Sequence, residues 1–149
     1  MAVMEIRPYQ AADADAVVAL WRRCDLVRPW NDPYKDIERK MAVRPDLFLV
    51  GLLDGVVVAA VMAGYEGHRG WINYLAVDPK HQRRGFGRAI LDAAEARLRA
   101  CGCPKINLQV RRANASVLEF YRAIGYVEDD AVCLGKRLVD DGPGRATMA

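Results

Sequence analysis

The chain has 149 residues, a length typical of one domain and short for two. Because 52% of the residues are hydrophobic and 28% are charged, the composition excludes a disordered or fibrous chain. The longest purely apolar run, residues 56–63, is far shorter than the roughly 18 residues of a membrane-spanning helix, and no basic and apolar leader precedes Glu5. We therefore expect one domain over residues 1–149, cytoplasmic and without a membrane partner, in which residues 140–149 form a flexible tail.

Charge and residue counts exclude several classes of function. The 22 basic and 19 acidic residues give a net charge of +3, which is too small to indicate nucleic acid as a partner. Ser116 is the only serine and no lysine precedes a serine or threonine, which excludes most serine-nucleophile mechanisms and a P-loop. The two histidines are thirteen residues apart and Cys101-x-Cys103 lacks the spacing of a zinc motif, so we expect no metal site.

Hydrophobic periodicity divides the chain into alternating strands and helices. A short strand at residues 4–7 precedes a helix at 11–23, and a proline-containing loop leads to a second short helix at 36–41. Asp54-Gly55 marks a hairpin. The later predicted elements are the hairpin strands 47–53 and 56–65, a strand at 71–77, a helix with the apolar stripe Ile90, Leu91, Ala94 and Leu98, a strand at 105–110, a helix at 114–124 and a last strand at 131–139. The order β-α-α-β-β-β-α-β-α-β predicts one mixed α/β domain.

The loop at residues 81–88, between a strand and a helix, carries a strong functional signal. Gly85 and Gly87 allow a tight turn that directs several N–H groups toward one point, and the following helix adds its unsatisfied N-terminal donors. Nine residues contain four cations and no acid: Lys80, Arg83, Arg84 and Arg88. These features predict a site for a phosphate or pyrophosphate; the alternative is a solvated basic turn. Ile90 stands where a dinucleotide-binding motif needs a third glycine, so that motif is excluded.

Two motifs resemble the signature of the GCN5-related N-acetyltransferase (GNAT) family. Gln82-x-x-Gly85-x-Gly87 after a strand is similar to the family's pyrophosphate loop for acetyl-CoA, and residues 114–126, with Phe120-Tyr121 and Gly125-Tyr126, resemble the second half of the signature. The resemblance spans roughly Met4 to Val139. It implies a mixed β-sheet of about six or seven strands with about four helices, and transfer of an acetyl group from acetyl-CoA to a primary amine by direct attack. Residues 24–41 also resemble an uncharacterised bacterial acetyltransferase.

The resemblance further implies how acetyl-CoA is bound. Backbone amides near Gly85 would bind the pyrophosphate, and one strand would pair with the pantetheine arm as with an added strand. The neighbouring strands at 71–77 and 105–110 would separate there and admit the thioester. The residues implied to bind acetyl-CoA are Leu75, Ala76, Val77, Gln82, Arg83, Arg84, Gly85, Phe86, Gly87, Arg88 and Asn114.

Tyr121 matches the tyrosine with which many family members protonate the departing CoA thiolate. A phenol with a pKa near ~10 can donate to a thiolate whose parent thiol has a pKa near ~8.5; the alternative is a core tyrosine with a satisfied hydroxyl. Gln109 stands where some relatives carry a glutamate as the base, and glutamine cannot accept that proton. We therefore predict Glu66 and His68 as catalytic substitutes, against the alternative of an ordinary polar turn.

The loop at residues 26–33 is predicted to admit the acceptor. It offers a cation, an aromatic wall and an acid, and Asn73 and Tyr74 are expected to help position a water through which Glu66 or His68 acts. The predicted acceptor-binding residues are Arg28, Trp30, Asn31, Asp32 and Asn73. The alternative is a connector stiffened by two prolines, with Trp30 packed inward. The expected acceptor is a small-molecule amine or a protein amino group, and the resemblance allows a homodimer.

Two other classes of function stay open on sequence grounds. A CoA-binding sensor without catalysis would explain the missing glutamate, and a nucleic-acid binding module would explain the 17 arginines. Release of free thiol from acetyl-CoA in the presence of amines separates an enzyme from a sensor. Salt-sensitive DNA binding without CoA binding would favour the nucleic-acid module.

Overall fold

The computed structural model describes residues 3–142, which form a mixed β-sheet of five strands and four α-helices and confirm the predicted α/β class. The strands are β1 (Glu5–Pro8), β2 (Phe48–Leu53), β3 (Val56–Tyr65), β4 (Gly70–Val77) and β5 (Ile106–Leu108). The helices are α1 (Ala14–Arg23), α2 (Pro33–Met41), α3 (Phe86–Ala100) and α4 (Ala115–Ala123). None of the described helices is both long and apolar enough to cross a membrane.

The strands lie in the sheet in chain order. From β1 to β4 each strand pairs with the next in antiparallel fashion, whereas β4 and β5 are parallel and are connected through α3. The predicted hairpin joins β2 to β3. Asp54 and Gly55 have φ values of 48° and 79°, and a tight two-residue hairpin requires this positive φ at both central positions.

The longest apolar run in the sequence belongs to β3, because both faces of this strand are buried. Val57 and Ala60 face a cluster beneath α1 and α2, whereas Ala59 and Val61 face a cluster beneath α3 and α4. A strand that is covered on both faces has a continuous hydrophobic sequence instead of an alternating one. The sheet therefore separates two helical layers.

A β-bulge interrupts the pairing of β3 with β4. Ala60 lies opposite Ala76 and Met62 lies opposite Asn73, so β4 has one residue more than β3 over this stretch. Tyr74, within the bulge, has φ +52°, which is uncommon for a residue other than glycine. Its ring stacks on Trp21 with the ring centroids 3.8 Å apart, and this contact holds the bulge against the α1 layer.

β4 and β5 pair over only three residues on each strand. Residues 70–72 pair with residues 106–108, and β4 then continues to Val77 without β5 beside it. The two strands therefore part beyond Ile72, in the region where the sequence predicted a separation. The part of β4 that borders this opening contains the bulge.

The predicted last strand at residues 131–139 is not a strand, so residues 3–142 contain five strands instead of about six or seven. Val132, Leu134 and Leu138, which lie in this segment, are between 86% and 89% exposed. Alternation predicts which side chains share a face, but a strand also needs a neighbouring edge for its hydrogen bonds. β5 is only three residues long and provides little edge.

The end of the described chain packs against the loop before α2. Asp141 Oδ2 lies 2.6 Å from Arg39 Nη1, and the backbone at Gly142 lies against Pro29 and Trp30. Residues 140–142 of the predicted tail are therefore anchored by an ion pair. Residues 143–149, the remainder of that predicted tail, lie outside the described residues.

Candidate active site

The loop before α3 has the geometry of an anion-binding site. Gly85 directly precedes the helix with φ +81°, and a Cβ added to it would meet nothing within 4 Å, so backbone conformation and not crowding favours glycine there. Arg83 also has a positive φ, 63°. The first hydrogen bond of the helix runs from Ala89 N to Gly85 O. The N–H groups of residues 86–88 consequently have no partner within the helix and carry the positive end of its dipole.

Cationic side chains accompany these N–H groups. Arg83 and Arg84 are exposed, and no carboxylate among residues 3–142 forms an ion pair with either. Arg84 Nη1 lies 3.4 Å from His81 Nδ1, and Arg88 makes only a long ion pair with Asp92, 4.0 Å. The loop can therefore present both backbone donors and guanidinium groups to a pyrophosphate.

The loop is attached to the end of β4. Val77 O accepts hydrogen bonds from Gln82 Nε2 at 3.1 Å and from Cys24 Sγ at 3.3 Å. A Cβ added to Gly87 would lie 3.5 Å from both the Phe120 ring and Val77 Cγ2, an ordinary contact distance. The predicted pyrophosphate loop and the predicted pantetheine strand are thus in direct contact, next to α4.

Three further predicted cofactor residues differ in their surroundings. Ala76 is buried opposite Ala60 in the regular part of the sheet. Leu75 lies in the bulge and has no opposite residue in β3. Asn114 precedes α4 as predicted, but its side chain makes no capping hydrogen bond; its Oδ1 accepts only a 3.5 Å hydrogen bond from Ser116 Oγ. The side chain of Asn114 is therefore available to a ligand.

Tyr121 in α4 is 6% exposed, and its ring packs edge-on against Phe120 and Tyr126 at centroid distances of 5.2 and 5.4 Å. Burial raises the pKa of Tyr121 to about 12, so the phenol is protonated at neutral pH. No residue in the described part of the chain hydrogen-bonds to its hydroxyl. The ring belongs to the core, while the protonated hydroxyl meets the requirement for a proton donor.

Glu66 and His68 lie in the turn between β3 and β4, away from this loop. Tyr65 Oη donates to Gly102 O at 3.5 Å, which puts the turn beside the C-terminal end of α3. The helix has 15 residues and is roughly 22 Å long, and the loop lies at its other end. The Glu66 carboxylate accepts hydrogen bonds from the backbone N–H groups of Arg69 and His68, which lower its pKa and make it a weaker base.

A pocket of about 640 Å³ lies where β4 and β5 separate. This volume is within the range of roughly 300–1,000 Å³ that is typical of small-molecule sites. The lining comes from the loop before α2, from α2, β3 and β4, and from the segment after β5: Leu26, Arg28, Asn31, Asp36, Arg39, Lys40, Met62, Asn73, Tyr74, Gln109 and Arg111. Within residues 3–142 no group of three His, Cys, Asp or Glu side chains could hold a metal ion.

Among residues 3–142, Asp36 is the only carboxylate in the lining of this pocket. Its Oδ2 accepts hydrogen bonds from Tyr74 Oη at 2.6 Å and from Asn31 Nδ2 at 3.5 Å, and its Oδ1 lies 3.5 Å from Arg39 Nη1. Burial, and then the hydrogen bond to Asp36, raise the pKa of Tyr74 well above its ordinary value. Tyr74 is therefore a hydrogen-bond donor at neutral pH, and Asp36 is the acceptor.

Three of the five predicted acceptor-binding residues line the pocket: Arg28, Asn31 and Asn73. Asp32 instead caps α2, because its Oδ1 accepts hydrogen bonds from the backbone N–H groups of Tyr34 at 3.0 Å and Lys35 at 3.3 Å. Trp30 is 37% exposed, and the guanidinium of Arg111 lies over its ring, 5.8 Å from the centroid. Trp30 thus orients a residue of the pocket without lining it.

The sequence analysis missed the carboxylate and most of the cations of the pocket. Asp36, Arg39 and Lys40 are three and four residues apart and therefore share one face of α2; this spacing was the available signal. Arg111 has no comparable local signal, because the pairing of β5 with β4 is what brings the following segment to α2.

Comparison with known proteins supports one family. Residues 15–126 match the sequence profile of the Acetyltransferase (GNAT) family. The chain is 50% identical over 138 residues to an acetyltransferase from Pectobacterium atrosepticum and 49% identical over 138 residues to one from Yersinia enterocolitica. Each alignment covers 93% of this chain and 98% of the relative.

Solved structures share the fold at low sequence identity. The aminoglycoside N-acetyltransferase AAC(6')-Iy in complex with a bisubstrate analogue of CoA superimposes with a TM-score of 0.74 and 18% identity, covering 92% of this chain and 99% of that one. The ribosomal-protein-S18-alanine N-acetyltransferase from Escherichia coli superimposes with a TM-score of 0.71 and 22% identity, covering 85% and 79%. The profile match and the near-complete alignment with the two relatives show that the chain belongs to the acetyltransferase (GNAT) family.

Proposed function

We propose that this acetyltransferase moves the acetyl group of acetyl-CoA to a primary amine bound in the pocket between β4 and β5. One observation carries the proposal: the stretch of β4 that has no β5 beside it connects the anion-binding loop to the pocket. Val77, at the end of that stretch, contacts the loop through Gln82, while Asn73 and Tyr74 in the same stretch line the pocket. A thioester donor that extends from the loop along β4 would reach the acceptor.

The donor side of the site is supported by its fit to CoA. The N–H groups of residues 86–88 and the unpaired guanidinium groups of Arg83 and Arg84 complement a diphosphate. Among the described residues no strand pairs with β4 on its β5 side beyond Ile72, so this edge can accept an added strand such as the pantetheine arm. Bound acetyl-CoA supplies the electrophilic thioester carbonyl.

Transfer requires a neutral amine and a proton for the leaving thiolate. In this proposal Asp36 accepts the proton of the bound ammonium group, and Tyr121 donates a proton to the CoA thiolate. A C–N bond forms as the C–S bond breaks. The second proton lost by the nitrogen restores the phenol through solvent, so the products are the acetamide, CoA thiol and one proton.

We assign the proton acceptor to Asp36 and not to the turn that contains Glu66 and His68. Asp36 lies in the pocket and bonds to Tyr74, whereas the turn contacts Gly102 near the other end of α3. Gln109, which lines the pocket, donates its amide to Cys133 Sγ and cannot accept a proton from an ammonium group. Asp36 is therefore the one carboxylate that the described residues contribute to the proposed acceptor pocket.

A direct test combines binding with turnover. Acetyl-CoA is titrated into the protein in a calorimeter, and free thiol and product mass are then followed with a panel of primary amines. We expect saturable binding and amine-dependent thiol release, with one acetyl group added to the amine. Binding without thiol release from any amine would indicate the sensor class, and no binding at millimolar acetyl-CoA would overturn the proposal.

A further inference from the structure

The acceptor pocket has an excess of positive charge. Its lining contains a single carboxylate, that of Asp36, and four cationic side chains: Arg28, Arg39, Lys40 and Arg111. A pocket lined mainly by one sign of charge concentrates ligands of the opposite sign. The lining alone therefore favours a ligand with a negatively charged group.

Two of these cations are occupied by acids of the protein itself. Arg39 forms two hydrogen bonds with Asp141, at 2.6 and 2.9 Å. Arg28 forms an ion pair with Asp25 at 3.1 Å, although the Asp25 side chain is 90% exposed. An ion pair as exposed as that of Arg28 contributes little free energy, so Arg28 can exchange Asp25 for a ligand readily. The partner of Arg39 is different, because the side chain of Asp141 is only 2% exposed.

The other two cations, Lys40 and Arg111, form no ion pair with any residue in the described part of the chain. Lys40 is half-buried against β3, where its Nζ lies 3.5 Å from a Cβ built on Gly64. Burial lowers the pKa of Lys40, and the nearby charge of Asp46, which is itself paired with Arg44, opposes this shift only in part. The guanidinium of Arg111 lies over the ring of Trp30 and forms no ion pair with a described carboxylate. Both side chains are ready to bind an anion.

We propose that the acceptor is a small primary amine that also carries an oxyanion group, and that Lys40 and Arg111 bind the oxyanion while Asp36 binds the ammonium group. Asp36 and Lys40 are four residues apart on α2, so their side chains are neighbours. An amine and a carboxylate or phosphate joined by a short carbon chain can reach both. This inference rests on the proposed function, because it names the acceptor class of the same pocket.

The same charges disfavour acceptors with several positive charges. An aminoglycoside or a polyamine would bring further cations to a pocket that already has four, against one carboxylate. We therefore expect such amines to be poor acceptors, although an aminoglycoside N-acetyltransferase has a similar fold. The acceptor preference is a property of the side chains in the pocket and not of the fold.

The first experiment compares matched acceptors in the thiol-release assay. The anionic amines β-alanine, ε-aminocaproate and phosphoethanolamine are paired with the uncharged β-alaninamide, ε-aminocaproamide and ethanolamine; spermidine and kanamycin represent polycations. In the ε-aminocaproate pair the long spacer keeps the amine pKa similar, so a difference reports binding. We expect kcat/KM to be at least about tenfold higher for the anionic member of a pair. The carboxylate and phosphate arms distinguish the two oxyanions.

The second experiment tests the two cations. Lys40→Met and Arg111→Met keep side-chain bulk, and Arg99→Met, on the exposed face of α3, is the matched control. We expect each pocket variant to lose about tenfold in kcat/KM for the preferred anionic amine and less than about twofold for its uncharged partner. Calorimetry of ε-aminocaproate with the CoA-saturated protein provides a readout without turnover, and affinity should fall in the same variants.

The outcomes separate this inference from the function on which it rests. If acetyl-CoA binds and the uncharged amines or polycations react as fast as the anionic ones, the inference is wrong and the proposed function stands. Retention of the anionic preference by both pocket variants, with normal folding and acetyl-CoA affinity, would also overturn it. If acetyl-CoA does not bind, the proposed function fails and the inference fails with it.

Discussion

The donor and acceptor halves of the site are built in different ways. The anion-binding part of the proposed donor half is one contiguous loop, residues 81–88, whose shape follows from a glycine at φ +81° and from the start of a helix. The acceptor half collects side chains from five separate segments between Leu26 and Arg111. Backbone N–H groups dominate the first half and side chains the second. We therefore expect single side-chain replacements to affect the acceptor half more strongly than the donor half.

The largest effect is expected from Asp36→Asn. This change keeps the hydrogen bond from Tyr74 but removes the proton acceptor, so kcat/KM should fall by about 100-fold, the usual contribution of a general base. Acetyl-CoA affinity, measured by calorimetry, should be unchanged because the donor half is intact. Glu38→Gln, an exposed carboxylate on the same helix, is the control. If kcat/KM fell in Glu66→Gln but not in Asp36→Asn, the base would be Glu66 in the β3–β4 turn and not Asp36.

Tyr121→Phe should lower kcat by about tenfold or more, because the thiolate would leave without its proton donor. Acetyl-CoA affinity should stay nearly the same. The neighbouring Tyr126 is a matched control, since its hydroxyl donates to Glu95 at 2.6 Å. Tyr126→Phe should lower the free energy of unfolding by about 1 kcal/mol without an effect on kcat. Normal turnover in Tyr121→Phe would leave Tyr121 with a packing role only.

Gly85→Ala tests the donor half against a control at the other end of α3. An alanine held at positive φ costs roughly 1–2 kcal/mol, so the free loop should relax and acetyl-CoA affinity should fall by about fivefold or more. Gly102 has φ +83° and equally open surroundings. Gly102→Ala should lower thermal stability to a similar extent but leave affinity unchanged. Equal affinities in the two variants would contradict the anion-binding role of the loop.

The smallest effect is expected at Asp78, which holds the entry to the loop. Its Oδ1 accepts a hydrogen bond from Lys80 N at 3.0 Å, its Oδ2 accepts one from Arg23 at 2.9 Å, and both lower the pKa of Asp78. Because the folded-state pKa lies below the unfolded value, this stabilisation is present above about pH 4 and is lost as pH falls through the folded pKa. Asp78→Asn should therefore cost about 1 kcal/mol near neutral pH.

Urea unfolding of both proteins at several pH values measures this difference. The two unfolding free energies should converge as the solution becomes more acidic than about pH 4. If the two unfolding free energies still differed at low pH, the packing of the Asp78 side chain and not its charge would account for the stabilisation.

Elements with a local cause were predicted well. The turn at Asp54-Gly55 and the glycine before α3 both require positive φ, and the sequence contains glycine for that reason. The prediction of a strand at residues 131–139 was wrong, because the residues of a segment do not show whether an edge is present to which it can pair. The base predicted in the β3–β4 turn stays a prediction: Glu66 has suitable chemistry, but it is not among the residues that line the pocket, and the sequence alone does not show which groups lie near it.

The sequence by itself determined the glycine turn before α3, the family motifs and the alternation of strands and helices, since each depends on residues within a few positions of one another. Only the tertiary structure decided the acceptor half. The bulge at Tyr74, the parting of β4 from β5 and the approach of Arg111 to α2 bring together residues that are up to 85 positions apart in the chain. These distant residues meet because the helical layers pack against the sheet, and no pattern of neighbouring residues predicts that packing.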